Sequence, residues 1–234
     1  MSFLESFQRF YASSIGKKLL VGLTGVGLLL FVFGHLVGNL LIFLGRDAIN
    51  SYAEFLKHGL LHGAGIWIAR LGLVATVGIH IVATIHLSRQ NREARQERYA
   101  FESTSKASAA SRTMIVTGLI VLSFIIFHLL QFTILPGPDD QGYYDLTSDH
   151  LRPDVYSMVV RGFQNWFVSF FYMISIGFLC LHMSHGFSSV FQTLGLRTDK
   201  SWPIVVSAGY AFSAVIFVGN SLIPLSILFG FITL

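Results

Sequence analysis

The sequence predicts an all-α integral membrane protein, a single bundle of five transmembrane helices. Its N-terminus is expected to be cytoplasmic, behind a short interfacial helix. Three observations predict this. Of the 234 residues, 53% are hydrophobic and only 12% are charged, where ordinary soluble domains carry about 25% charge. Mean hydropathy is +0.64. Apolar runs long enough to cross a bilayer, which takes about 20 residues, recur at 19–44, 63–88, 113–135, 163–192 and 203–233. The chain reads as one domain, 1–234. The net charge of +4 reflects basic loops on one membrane face and not a nucleic-acid patch. Cys180 is the single cysteine, which excludes a disulfide framework and a Cys-rich metal site. The first apolar run is too long for a signal h-region, and no small-residue cleavage motif follows it, so no cleavable signal is expected.

Residues 1–15 read MSFLESFQRFYASSI. Phe3, Phe7, Phe10 and Tyr11 share one helical face, the pattern of a helix lying in the interface. Lys17 and Lys18 mark a membrane edge, and span I runs on uncharged to Leu44. Its glycines (Gly22, Gly25, Gly27, Gly34, Gly38) suit close helix packing or leave room for a flat macrocycle beside the backbone. The loop 45–62 is polar and partly helical. Span II holds Arg70 near its start and His80 and His86 further on. Arg70 either snorkels to the interface or neutralises a buried anion such as a haem propionate. The segment 89–112 is the most basic loop. Span III holds His128 and ends at Pro136 and Pro138. The loop 136–161 is the acidic one, with Asp139, Asp140, Asp145, Asp149 and Asp154. Span IV holds His182 and His185, a turn with Arg197 and Lys200 follows, and span V carries no ionisable residue but Tyr210. Five spans put the N-terminus, the 89–112 loop and the 193–202 turn on one side. That side is the basic one, so it is expected to be cytoplasmic.

An imidazole in hydrocarbon is costly unless satisfied, so histidines within spans mark function. Helical rise converts their positions into depth. His35 and His128 fall about 25 and 24 Å from the cytoplasmic edge, and His80 and His182 about 14 and 15 Å. Spans I and III supply one pair, spans II and IV the other. Taken singly, each histidine also fits a polar residue hydrogen-bonded between helices. Four of them paired by depth fit bis-imidazole ligation of two haems b, an outer one on His35 and His128 and an inner one on His80 and His182. Two strong nitrogen ligands saturate the iron, so such sites transfer electrons and do not activate substrates. His86 and His185 stand off these positions and suit propionate or interface partners better than axial ligands. His58, His62 and His150 sit in or near the outer loops, where they are expected to be solvated or adjacent to a quinone.

The motif FGHLVGNLLIFLG followed by INSYAEFL, with GIHIVATIH, IIFHLLQ and LHMSHGFSSVFQTLG further on, resembles the di-haem cytochrome b558-type membrane anchor of succinate dehydrogenases and fumarate reductases. The resemblance covers essentially the whole chain. It implies two haems b on His35 with His128 and on His80 with His182. It implies a flavoprotein subunit with covalently bound FAD and an iron–sulfur subunit on the cytoplasmic face of a bacterial inner membrane. It also implies menaquinone or another quinone near the outer haem, where Glu54, Lys57 and His58 are candidates to hold it or relay protons. Some menaquinol-oxidising fumarate reductases of this type carry a glutamate just after the first outer loop and another in span V. Lys57 and His58 occupy the first neighbourhood, and span V has no glutamate, which favours succinate oxidation. Rival readings are a fumarate reductase anchor, the cytochrome b subunit of a hydrogenase or formate dehydrogenase, and a histidine-lined proton or metal transporter. A transporter predicts internal repeats and membrane carboxylates. No internal repeat is evident, and no acidic residue sits inside a span.

Overall fold

The structure is a computed structural model that describes residues 2–94, 113–134, 144–145 and 152–234. Most of the basic segment, the prolines that end span III, Asp139, Asp140, Asp149 and His150 lie outside the described residues.

Eight α-helices are described. α1 spans Phe3–Ala12, α2 Ser14–Leu40, α3 Arg46–Glu54, α4 Ala64–Glu93, α5 Met114–Leu129, α6 Val155–Gln164, α7 Trp166–Thr193 and α8 Ser201–Leu228. Short 3₁₀ or π turns extend α2 to Leu44, join α3 to α4 through residues 55–63, and extend α5 to Ile134. A two-residue antiparallel pair, β1 at Tyr144–Asp145 and β2 at Arg152–Pro153, is the described extended structure. Five helical stretches are long and apolar enough to cross a membrane: Ser14–Leu44, Leu61–Glu93, Met114–Ile134, Trp166–Thr193 and Ser201–Leu228. Their outward faces leave Leu30 68%, Leu71 67% and Ile174 61% exposed. Apolar area on that scale suits a lipid solvent and not water.

The helix ends follow from local chemistry. Ser2 and Glu5 form a reciprocal cap at α1. Ser13 then sits extended between α1 and α2 and caps α2 by accepting from the Gly16 amide at 2.9 Å. The elbow is tight enough that a Cβ on Gly16 would lie 2.0 Å from the Phe10 carbonyl oxygen, so glycine is required there.

Span IV differs from its sequence boundary. The apolar run from 163 is two helices, α6 and α7, broken at Asn165, which is extended at ψ 112°. The Asn165 side chain accepts from the amides of Phe167 and Val168 at 3.0 and 3.4 Å, so it starts a new helix where hydropathy alone sees continuity. The last span also ends earlier than expected, at Leu228, before a turn through Gly230.

Close helix contacts run in the order α4–α2–α7–α5, with α8 laid against α7 and α2. One buried cluster holds the bundle middle through Leu36, Met183 and Ile216. A larger one closes the end bearing α3 and α6 through Ile42, Ile49, Val160, Phe163, Tyr172, Ile176, Ile223 and Ile227. The opposite end is fastened by Lys17, whose ammonium donates to the Ala12 carbonyl at 2.9 Å and to Gln90 Oε1 at 3.2 Å.

Candidate functional site

The four span histidines lie on four different helices: His35 on α2, His80 on α4, His128 on α5 and His182 on α7. Each pair is drawn from helices that are not neighbours in the α4–α2–α7–α5 order.

His35 and His128 stand ring to ring, with centroids 5.8 Å apart and planes at 86°. Metal–imidazole nitrogen bonds of about 2 Å on each side would put two imidazole centres on one metal about 6 Å apart. Aromatic side chains wall this pair. Phe31 stacks on His35 at 5.5 Å, and Phe132 and Tyr172 flank His128 at 5.7 and 5.9 Å. The Tyr172 hydroxyl donates to Gln131 Oε1 at 3.0 Å. Its oxygen therefore accepts from Nδ1–H of His128 at 3.3 Å, which leaves the Nε2 lone pair of His128 free.

The inner pair is oriented in the same way. Thr24 on α2 donates its hydroxyl proton to the Leu20 carbonyl at 2.6 Å, so its oxygen accepts from Nδ1–H of His80 at 3.0 Å. Thr117 on α5 donates to the Thr113 and Met114 carbonyls at 3.1 Å and accepts from Nδ1–H of His182 at 3.2 Å. His182 and His80 interact electrostatically across the bundle. A glycine follows each threonine. A Cβ on Gly25 would lie 3.8 Å from His80 Cε1, and one on Gly118 would lie 3.4 Å from His182 Cε1. Both positions keep space beside an imidazole.

Among the described residues no group of three or more His, Cys, Asp or Glu is placed to hold a metal ion. Two opposed imidazoles suit a metal that brings its own equatorial ligands. An iron porphyrin is such a group.

Two cavities flank the pairs. One of about 450 Å³, at the end bearing α3, is lined by Lys57, His58, His62, Trp67 and Arg70 among others. The Arg70 guanidinium lies 5.2 Å from the Trp67 ring centre. The chain enters α4 here through Leu61 and His62 at φ 49° and 52°, left-handed conformations costly for such side chains. Glu54 does not line this cavity. The second cavity, about 530 Å³ at the other end, is lined by Lys18, His185, Ser189, Gln192 and Thr193 with Ile15 and Leu19. His185 Nε2 is hydrogen-bonded to Ser189 Oγ at 3.0 Å. His86 stands apart from both cavities, with its Nδ1 2.8 Å from the Tyr11 hydroxyl. Thr24, Thr117 and Tyr172 are the side chains that the sequence did not single out. The signal for the threonines is present in the chain: Thr-Gly precedes His by eleven residues both at 24–35 and at 117–128. It is a short repeat within two spans, not a repeat of whole spans.

Fold and site together define a polytopic membrane protein with two imidazole pairs across one helical bundle. Residues 86–218, more than half of the chain, match the model of the succinate dehydrogenase/fumarate reductase transmembrane subunit family, and the chain belongs to that family. The matched region holds His128 and His182, whereas His35 and His80 precede it. No curated protein and no solved structure matches the chain. Membership makes this a membrane-anchor subunit of a succinate dehydrogenase or fumarate reductase. It sets aside the hydrogenase, formate dehydrogenase and transporter readings.

Proposed function

We propose that the chain is the di-haem cytochrome b anchor of a bacterial succinate:quinone oxidoreductase working in the direction of succinate oxidation. The observation that carries this is the crosswise pairing of imidazoles, with Nδ1 of His80, His182 and His128 each bound to a hydroxyl and Nε2 left for a metal. His35 and His128 hold the outer haem b, and His80 and His182 the inner one. These groups supply one-electron transfer with no open coordination position. Gly25 and Gly118 admit the inner plane. Lys18, His185, Ser189 and Gln192 line a cavity at the inner end that would take the inner propionates, Lys18 as their counter-charge and His185 as a hydrogen-bond partner. His86, engaged by Tyr11, positions α1 instead.

The end bearing α1, Lys17, Lys18, Arg89 and Arg92 is cytoplasmic, because positive residues stay on that side. The iron–sulfur subunit and the FAD-bearing flavoprotein dock there. At the opposite end the cavity of Lys57, His58, His62, Trp67 and Arg70 receives the quinone head, menaquinone by resemblance. Its basic lining supplies hydrogen bonds to the quinone oxygens, and its two histidines carry protons in from the outer water. No carboxylate stands inside α8, which fits succinate oxidation better than quinol oxidation by the glutamate-bearing type.

The test is a reduced-minus-oxidised spectrum with pyridine-haemochrome quantification on the purified complex. Two haems b per chain are expected. His35→Ala and His128→Ala should remove the same one, and His80→Ala the other. A colourless complex would overturn the reading.

A further inference from the structure

The eleven-residue spacing has a physical content. At 3.6 residues per turn, eleven residues make three turns, so Thr24 and His35 share one face of α2, and Thr117 and His128 share one face of α5. The rise between them is about 16 Å. Each of these helices therefore presents a ligand at the outer level and a hydroxyl at the inner level. The inner module repeats in detail. On α2 the Thr24 oxygen and the Val21 carbonyl both contact His80. On α5 the Thr117 oxygen and the Met114 carbonyl both contact His182. In each case the carbonyl is three residues before the threonine. A carbonyl only accepts, and each threonine has already given its proton to the backbone. Both arrangements therefore demand a proton on the facing imidazole nitrogen. A glycine after each threonine keeps the next position open.

We infer that Thr24 and Thr117 are positioning residues of the inner electron-transfer site. They hold His80 and His182 in the Nδ1–H tautomer and so aim two Nε2 lone pairs at one metal. The inference rests on the haem reading above. Outer-shell partners of this kind orient a ligand and raise its basicity, and their loss typically costs 10–100-fold in metal affinity. A hydroxyl that accepts from Nδ1–H pushes electron density toward the ligating nitrogen, which favours the oxidised metal. Removing it should therefore move the inner midpoint potential positive.

The experiment uses the whole purified complex with Thr24→Val, Thr117→Val and the two Thr→Ser variants. Valine keeps the shape and removes the hydroxyl, and serine restores it. Haem count is measured first, so that absence of haem in the wild type is separated from failure of this inference. Redox titration and low-temperature electron paramagnetic resonance then follow the two centres separately. The valine variants should shift the potential and spectrum of the inner centre, or lower its occupancy by 10–100-fold in haem affinity, with the outer centre unchanged. The serine variants should return the wild-type values. Valine variants with an unaltered inner centre would overturn the inference, as would a shift confined to the outer centre. Should the valine variants fail to assemble, proton NMR of the reduced wild-type complex decides. Two slowly exchanging Nδ1–H resonances at the inner centre support the tautomer, and their absence refutes it.

Discussion

At the scale of single residues, Tyr172 and Gln131 do for the outer pair what the threonines do for the inner one, but with a longer bond and a phenol. Tyr172→Phe keeps the ring in its aromatic cluster and removes the acceptor for His128 Nδ1 together with the bond to Gln131. The expected result is a positive shift of the outer midpoint potential with the inner one unmoved, read by redox titration. Gly118→Leu makes a steric test of the inner cradle. A Cβ there already meets His182 Cε1 at 3.4 Å, and the longer side chain should displace the inner haem while leaving the outer one, counted as one haem per chain. The histidines were legible because an imidazole inside an apolar run stands out. Their hydroxyl partners were not, since a threonine in a membrane helix ordinarily back-bonds to its own helix and looks like packing. A Cβ on Gly22 would lie 3.5 Å from the Thr193 side chain, and one on Gly25 3.8 Å from His80 and 3.9 Å from Val190.

At the scale of elements, α3 and α6 are fastened over the outer end by one buried carboxylate. Arg46 Nη1 lies 2.5 Å from Asp154 Oδ2, Asn50 Nδ2 donates to Asp154 Oδ1 at 3.0 Å, and the Ser157 amide adds a third bond. Asn50 in turn accepts from the Tyr156 amide at 3.0 Å, while Arg152 pairs with Asp47. Burial alone would push the Asp154 carboxyl up. The hydrogen bonds from Asn50 and Ser157 and the Arg46 charge outweigh it and hold it below its ordinary value. A carboxyl lowered by folding stabilises above its unfolded value of about 3.9, and that contribution is lost as pH falls through the folded value. The stabilisation from Asp154 is therefore constant near neutrality and disappears only in acid. Asp154→Ala strands Arg46 and Asn50 and should cost about 3–5 kcal/mol. A lower thermal midpoint of the detergent-solubilised complex would report it, with a flatter acid limb than wild type. This clamp was only partly visible in the chain. Loop 45–62 reads as polar and partly helical, yet nothing local pairs Asp154 with residues a hundred positions earlier. The break at Asn165 was hidden for a different reason: apolar residues lie on both sides of it, and hydropathy does not register a capping side chain.

At the scale of the whole molecule, the two imidazole levels stand about 10 Å apart along the bundle by helical rise, roughly a third of a hydrocarbon core about 30 Å thick. On the proposed arrangement, with the partner subunits on the α1 side and quinone at the opposite cavity, each electron would cross much of the membrane field. An electron is negative, and the cytoplasmic side of an energised membrane is negative, so outward transfer runs down the electrical gradient. The full potential is worth about 2.3 kcal/mol per charge per 100 mV, and the stretch between the two levels about a third of that. Protons drawn from the outer water through His58 and His62 add to the same charge movement. Quinone reduction by succinate in sealed vesicles, with the complex oriented and a potassium gradient setting the potential, should run faster when the α1 side is negative. It should slow when that potential is collapsed or reversed. A rate indifferent to the potential would place quinone reduction on the α1 side of the membrane, at the Lys18–His185 cavity. Lys57→Gln would then leave turnover intact, where the outer site requires a rise in quinone KM.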